Sequence, residues 1–174
     1  MMTTTVVRRR TWARIAIPLG FAVIVFGAWG ALIPLVGPYF DFGFDTDHTW
    51  RLSEQHWTLS IIPGAVAVAA GLMLMLPTRG RIGAWSAVLA AAWFAAGPFL
   101  HPLWSHTVAP IATDEGKRAA LWVGYFMAPA VMIAYLSGVS QGIRRSTTIV
   151  ARPAATAIRA ADPAPTESQP VSVP

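Results

Sequence analysis

The chain has 174 residues, of which 55% are hydrophobic and only 12% are charged, with a mean hydropathy of +0.51 and a formal net charge of +5. This composition is too apolar for an ordinary soluble domain and indicates an integral membrane protein. There is no cysteine, which excludes disulfides, thiol catalysis and thiolate metal sites. The basic residues flank apolar runs instead of lining a soluble face, so we expect no nucleic-acid partner.

Four apolar runs predict four membrane-spanning helices. The runs are residues 15–36, 57–76, 82–100 and 119–139. A basic segment, residues 1–14, precedes the first run, which we interpret as an uncleaved span because no small-residue cleavage site follows it. Residues 140–174 are rich in alanine, proline, serine and threonine and predict a largely disordered tail. The predicted fold is therefore an all-α, membrane-embedded four-helix bundle over residues 15–139, with the lipid bilayer as its surroundings.

A spaced pattern of tryptophan and proline occurs twice, late in the first and third runs. Each copy has the order Trp, four residues, Pro, three residues, Pro, one residue, aromatic. The copies are Trp29, Pro34, Pro38 and Phe40, then Trp93, Pro98, Pro102 and Trp104, and matched residues lie 64 apart. A hydrophilic connection and a second apolar run follow each copy, so the pattern predicts two tandem transmembrane hairpins.

This arrangement resembles the bacterial SPW-repeat membrane proteins, whose repeat carries Ser-Pro-Trp in the first of two transmembrane helices. The resemblance spans Ile15 to Val139. The corresponding tripeptides here are Ile33-Pro34-Leu35 and Gly97-Pro98-Phe99, which keep the proline. The resemblance implies a repeated two-helix unit and carries over no catalytic or ligand residue.

The distribution of basic residues predicts the orientation. Three of the 13 basic residues, Arg51, Lys117 and Arg118, lie in the two long connections, and the other ten lie in the termini and in the short turn after the second run. Cytoplasmic segments are enriched in Lys and Arg, so both termini are expected in the cytoplasm. Arginine outnumbers lysine twelve to one in an Ala-, Pro- and Gly-rich chain, which favours a bacterial plasma membrane.

The two long connections, predicted to be exterior, contain the polar residues that could bind a metal or take part in catalysis. The candidate metal ligands are His48, His56, His101, His106 and Asp47. Imidazole and carboxylate groups suit zinc or copper, but the spacing matches no known ligand motif, and a polar rim is the alternative. We therefore predict no catalytic residue and no cofactor. In the first connection, Phe40, Phe42 and Phe44 alternate with polar residues and predict an extended ribbon on the bilayer surface, with its aromatic side chains forming an interfacial belt.

Small residues recur at four-residue spacing along the spans. The third span has the clearest ridge, formed by Gly83, Ala87, Ala91 and Ala95, and the fourth has Ala130, Ala134 and Gly138. Such ridges let helix backbones approach closely in lipid. The sequence leaves open whether they pack within one chain, against a second copy or against another membrane protein.

The four apolar runs contain no Asp, Glu, Lys or Arg, which disfavours an ion or proton carrier. Pro63 and Pro129 interrupt the second and fourth runs. Either a broken helix exposes backbone to a substrate, or a neighbour satisfies the freed carbonyl, and we favour the second alternative. The sequence thus predicts a non-enzymatic accessory or interaction subunit. The alternatives are an exterior metal or small-ligand protein and a small transporter subunit.

Overall fold

The computed structural model describes residues 3–44, 50, 52–105 and 114–160. Within this part of the chain the secondary structure is helical and contains no strand, so the predicted all-α class is confirmed. The helices are α1 (Thr3–Val36), α2 (Glu54–Met75), α3 (Gly80–Leu100) and α4, which comprises Glu115–Trp122, Val123–Met127 and Ala128–Ala160. Short 3-10 turns follow α1 at Gly37–Phe40 and α3 at His101–Leu103.

Each helix contains a stretch that is long and apolar enough to cross a bilayer. The four stretches are Ile15–Phe40, Glu54–Met75, Gly80–Leu103 and Glu115–Arg144, and each overlaps one predicted run. Local side chains begin two of the helices. Ser53 caps α2 by accepting the His56 N–H, and the Asp114 carboxylate caps α4 by accepting the N–H groups of Gly116 and Lys117. The architecture is that of a multi-pass membrane protein.

The chain divides into two compact units, Met1–Gln141 and Gly142–Pro174. The first unit contains the hydrophobic core. In the second unit the helical residues extend to Ala160, inside the segment for which the sequence predicted a largely disordered tail. Residues 161–174, the rest of that segment, lie outside the described residues.

Glycine lets the first two helices touch backbone to backbone. A Cβ placed on Gly71 of α2 would lie 2.6 Å from the carbonyl oxygen of Gly20 on α1, and one on Gly64 would lie 2.6 Å from the carbonyl oxygen of Gly27. Lipid offers no hydrophobic drive for helix association, so close van der Waals contact of this kind holds membrane helices together. The α1–α2 pair is therefore packed backbone to backbone at two places along the helices.

The small-residue ridge of α3 faces the interior of the bundle. Gly83, Ala87 and Ala91 are buried, and Ala95 is half-buried against the core. A Cβ on Gly83 would lie 2.7 Å from the carbonyl oxygen of Ala70 on α2. Most of this ridge is therefore used within the chain, and a second chain would have to bind another face.

The predicted ribbon over residues 40–44 is wrong. Gly37–Phe40 forms a 3-10 turn that ends at Asp41, which adopts a left-handed backbone conformation with φ of 59°. The chain then turns back on itself, with the Phe42 N–H donating to the carbonyl of Gly37 at 3.0 Å. Phe44 is buried in the core. The alternation failed because Phe42 and Phe44 both pack against α4, which lies far away in sequence, while Phe40 stays exposed.

Candidate functional site

Helix α2 widens into a π turn, Trp57–Ile61, shortly before Pro63. The N–H that follows the turn donates five residues back, to the first residue of the turn. In the same register, residue 63 would donate to the carbonyl of Thr58, but proline has no N–H. The indole Nε1 of Trp93 on α3 donates to the Thr58 carbonyl instead, at 2.8 Å.

Helix α4 repeats this arrangement. Its π turn is Val123–Met127, and Pro129 follows. In the π register, residue 129 would donate to the carbonyl of Gly124, and proline again has no N–H to offer. The indole Nε1 of Trp29 on α1 donates to the Gly124 carbonyl at 3.0 Å.

The two proline turns therefore exchange donors between the hairpins. We call α1 with α2 the first hairpin and α3 with α4 the second hairpin. Trp93 of the second hairpin serves the turn of the first, and Trp29 of the first hairpin serves the turn of the second. Each freed carbonyl is satisfied by a neighbouring helix, which is the alternative that the sequence favoured.

The first long connection packs against the start of α4, at what we call the long-loop end of the bundle. The Lys117 ammonium contacts the Asp41 carboxylate, with 2.7 Å between Nζ and Oδ1. The Tyr125 hydroxyl donates to the Phe42 carbonyl at 3.2 Å. The Phe44 ring packs edge-on against Tyr125, with 5.1 Å between ring centroids. The start of α4 therefore anchors the first connection, through contacts that reach from the surface into the core.

The structure separates the histidines into two environments. His56 belongs to the cap of its own helix, because its Nδ1 accepts the Ser53 N–H at 3.3 Å. His101 lies in the 3-10 turn after α3 and is only 3% exposed, with its ring edge-on to Trp104. Its Nε2 has no hydrogen-bond partner in the described part of the chain.

The remaining candidate ligands, His48, His106 and Asp47, lie outside the described residues. Among the described histidines and carboxylates, no three come close enough together to hold a metal ion. His101 is therefore the one described candidate whose ring nitrogen is buried without a protein partner.

An apolar groove of about 330 Å³ lies between α2 and α3, beside the first proline turn. Its walls include Pro63, Val66, Leu89 and Trp93. Leu89 is 68% exposed, so the groove opens onto the outer surface of the bundle. Its lining offers apolar contact and almost no hydrogen-bonding capacity.

No known protein family, curated protein or solved structure matches the chain. The functional interpretation therefore depends on the residues and their geometry. Sequence inspection singled out both tryptophans and both prolines but missed the acceptors, Thr58 and Gly124, because these contribute backbone carbonyls. The available signal was positional: each acceptor lies five residues before a proline, the register of a π turn.

Proposed function

We propose that the protein is a non-enzymatic integral membrane protein of the bacterial plasma membrane that acts as an accessory or interaction subunit. The apolar outer surfaces of the helices support residence in a bilayer: Phe21, Leu72, Leu89 and Tyr135 are all more than half exposed. The buried Ser137 hydroxyl supports a structural use of core polar groups, since it donates to its own helix at the Ile133 carbonyl.

We assign the partner surface to the outer face of α4, and one observation carries the assignment. A Cβ on Gly138 would meet no atom within 4 Å, whereas a Cβ on Gly20 or Gly71 would lie 2.6 Å from a backbone oxygen of the neighbouring helix. The fourth span is also the least enclosed, with 33% of its apolar window buried against 44% for the second span. A surface-facing glycine with Ala134 exposed beside it suits close approach by a transmembrane helix of another membrane protein.

Site-specific photocrosslinking in native membranes tests this surface. A crosslinker at exposed Tyr135 is expected to capture one polypeptide, and Gly138→Leu is expected to abolish the capture. Ala96→Leu, on the exposed face of α3, is the matched control and leaves capture unchanged. Capture of a second copy of this chain would replace the accessory role with a homo-oligomer. Capture of lipid alone would refute the proposal.

We propose that both termini face the cytoplasm, as the distribution of basic residues predicts. Since the chain has no cysteine, single cysteines report the orientation directly. An impermeant thiol reagent applied to intact cells is expected to label Asp47→Cys and to leave Thr78→Cys, in the exposed short turn, unlabelled. The reverse pattern would overturn this orientation.

We also propose that the two hairpins are copies of one two-helix unit. The reciprocal indole bonds support this, and so does a contact between equivalent positions 30 and 94. A Cβ on Gly30 would lie 2.5 Å from the Phe94 ring, and contact between equivalent residues is the signature of a two-fold axis. The proposal extends the likeness to SPW-repeat proteins. A cryo-electron microscopy structure would contradict it if the Trp29 and Trp93 indoles did not coincide when one hairpin is superposed on the other.

The alternative function is metal or small-ligand binding at the long-loop end, and His101 is the observation that favours it. A buried imidazole nitrogen without a protein partner suits a ligand bond. Elemental analysis of the protein after gentle detergent extraction is the test. Stoichiometric zinc or copper that His101→Ala removes would support this alternative, and metal-free protein would eliminate its metal form.

A further inference from the structure

The two proline turns lie within the apolar stretches of α2 and α4, where an unpaired carbonyl is costly. Water competes for backbone groups in a soluble protein, but hydrocarbon offers no donor. The carbonyls of Thr58 and Gly124 each lose a helical donor to a proline and gain one indole N–H. Each turn therefore depends on a single side chain that its own hairpin does not supply.

We propose that these two hydrogen bonds form a reciprocal latch between the hairpins. Trp93 of the second hairpin holds the π turn of α2 closed, and Trp29 of the first hairpin holds the π turn of α4 closed. A π turn before a proline is a bend in the helix, and its freed carbonyl determines how far it opens. Loosening either indole releases a bend in the opposite hairpin.

The two hydrogen bonds of the latch are also linked by packing between the residues next to the two tryptophans. Gly30 follows Trp29 on α1, Phe94 follows Trp93 on α3, and the Phe94 ring fills the space beside Gly30. Phe94 is fully buried. A rotation of α1 that withdraws Trp29 therefore presses against the residue next to Trp93. Because packed interiors switch between arrangements instead of deforming smoothly, this contact couples the opening of the two turns.

The surroundings of Trp93 are suited to holding its indole in place. Its ring stacks on Trp104, with 6.1 Å between centroids and 23° between ring planes. The same indole forms part of the wall of the apolar groove beside Pro63. Movement of Trp93 therefore changes the shape of the groove as well as freeing the Thr58 carbonyl, so the latch connects the lipid-facing surface to the bend of α2.

Amide hydrogen exchange on the full-length protein in nanodiscs tests the latch. Trp93→Phe keeps an aromatic ring but removes the N–H donor, and we expect exchange around residues 57–64 of the first hairpin to rise about three- to tenfold. Trp29→Phe is expected to produce the same rise around residues 123–130 of the second hairpin. Trp85→Phe changes an exposed tryptophan of α3 and serves as the control with no rise.

The place of the change separates a latch from a general loss of stability. A rise across all helices, or one confined to the helix that carries the substitution, would overturn the proposal. No rise at either turn would overturn it as well.

A double-mutant cycle gives an independent test by restoring the missing donor. Pro63→Ala supplies an N–H that reaches the Thr58 carbonyl within α2, so Trp93→Phe should then change the unfolding equilibrium less than twofold. Pro129→Ala restores a donor only in the turn of α4, which Trp93 does not contact. In that background Trp93→Phe should keep its full effect of about three- to tenfold on the unfolding equilibrium. Equal effects in both backgrounds would show that the indole does not act through this carbonyl, and the latch would be refuted.

Discussion

The two hairpins use matched positions differently. In the first hairpin, Gly20 faces Gly71. The first helices of the two hairpins match at an offset of 64 residues, and the second helices match at an offset of 66, the distance between their prolines. Gly20 therefore corresponds to Ala84 and Gly71 to Ser137, and both of these residues are fully buried. A second pair behaves alike, since Gly27 and Gly64 correspond to Ala91 and Ala130, and all four are buried. Each position thus keeps a small buried residue but gains a methyl or hydroxymethyl group in the second hairpin.

This difference explains why the hairpins are held together in different ways. Glycine allows α1 and α2 to pack backbone to backbone along their length, whereas α3 and residues 128–141 of α4 make few close backbone contacts. The second hairpin instead relies on aromatic packing at the long-loop end. There the rings of Phe99 and Trp122 stack at 5.8 Å between centroids. The first hairpin is therefore held together by glycine contacts and the second by aromatic contacts.

The largest effect on the free energy of unfolding is expected when the Phe94 side chain, which joins the hairpins, is removed. Phe94→Ala leaves a cavity beside Gly30 and should lower the free energy of unfolding by about 3 kcal/mol, measured by reversible unfolding in mixed micelles. Phe21→Ala, at a position of α1 that is 60% exposed, is the control and should cost less than about 1 kcal/mol. Equal losses of unfolding free energy in the two variants would show that the contact between the hairpins contributes no more stability than an exposed ring.

The next effect compares the two interfaces directly. Gly71→Ala forces a Cβ against the Gly20 carbonyl oxygen and should lower the free energy of unfolding by about 2 kcal/mol. At the matched position, Ser137→Ala removes only a bond to its own helix and should cost about 0.5 kcal/mol or less. The same unfolding measurement decides, and a tolerated Gly71→Ala would break the distinction between the hairpins.

A smaller effect of opposite sign is expected on the open face of α4. Gly138→Ala meets no neighbour and restricts the unfolded chain, so it should raise the free energy of unfolding of the purified protein by about 0.5 kcal/mol. Gly83→Ala makes the same substitution in α3 for comparison, and there the new Cβ would lie 2.7 Å from the Ala70 carbonyl oxygen. That variant should be destabilised, and stabilisation of both would mean that glycine context does not matter.

The smallest effect concerns the ion pair at the long-loop end. Asp41 is 90% exposed, so Asp41→Asn should lower the free energy of unfolding by less than about 0.5 kcal/mol, and 1 M salt should erase the difference. Glu115→Gln, whose pair with Arg118 is longer at 3.8 Å, is the control with no measurable change. A loss that survives high salt would indicate a role for Asp41 beyond the ion pair.

Much of the fold was predictable because span formation is a local property. Twenty or so consecutive apolar residues suffice for a transmembrane helix, and all four predicted runs lie in helices of the structure. The ridge of α3 was also visible as a spacing. Its partner was not, because many faces of a four-helix bundle accept small residues and only packing selects among them.

The candidate site was predictable in its residues but not in its connections. By itself the sequence determined the four spans, the positions of Trp29 and Trp93, and the two prolines, since composition and spacing are local. Tertiary structure alone decided that each indole crosses to the opposite hairpin and that His101 turns inward while His56 caps its own helix. The physical reason is that a freed carbonyl accepts any donor within reach, and reach depends on how the helices pack.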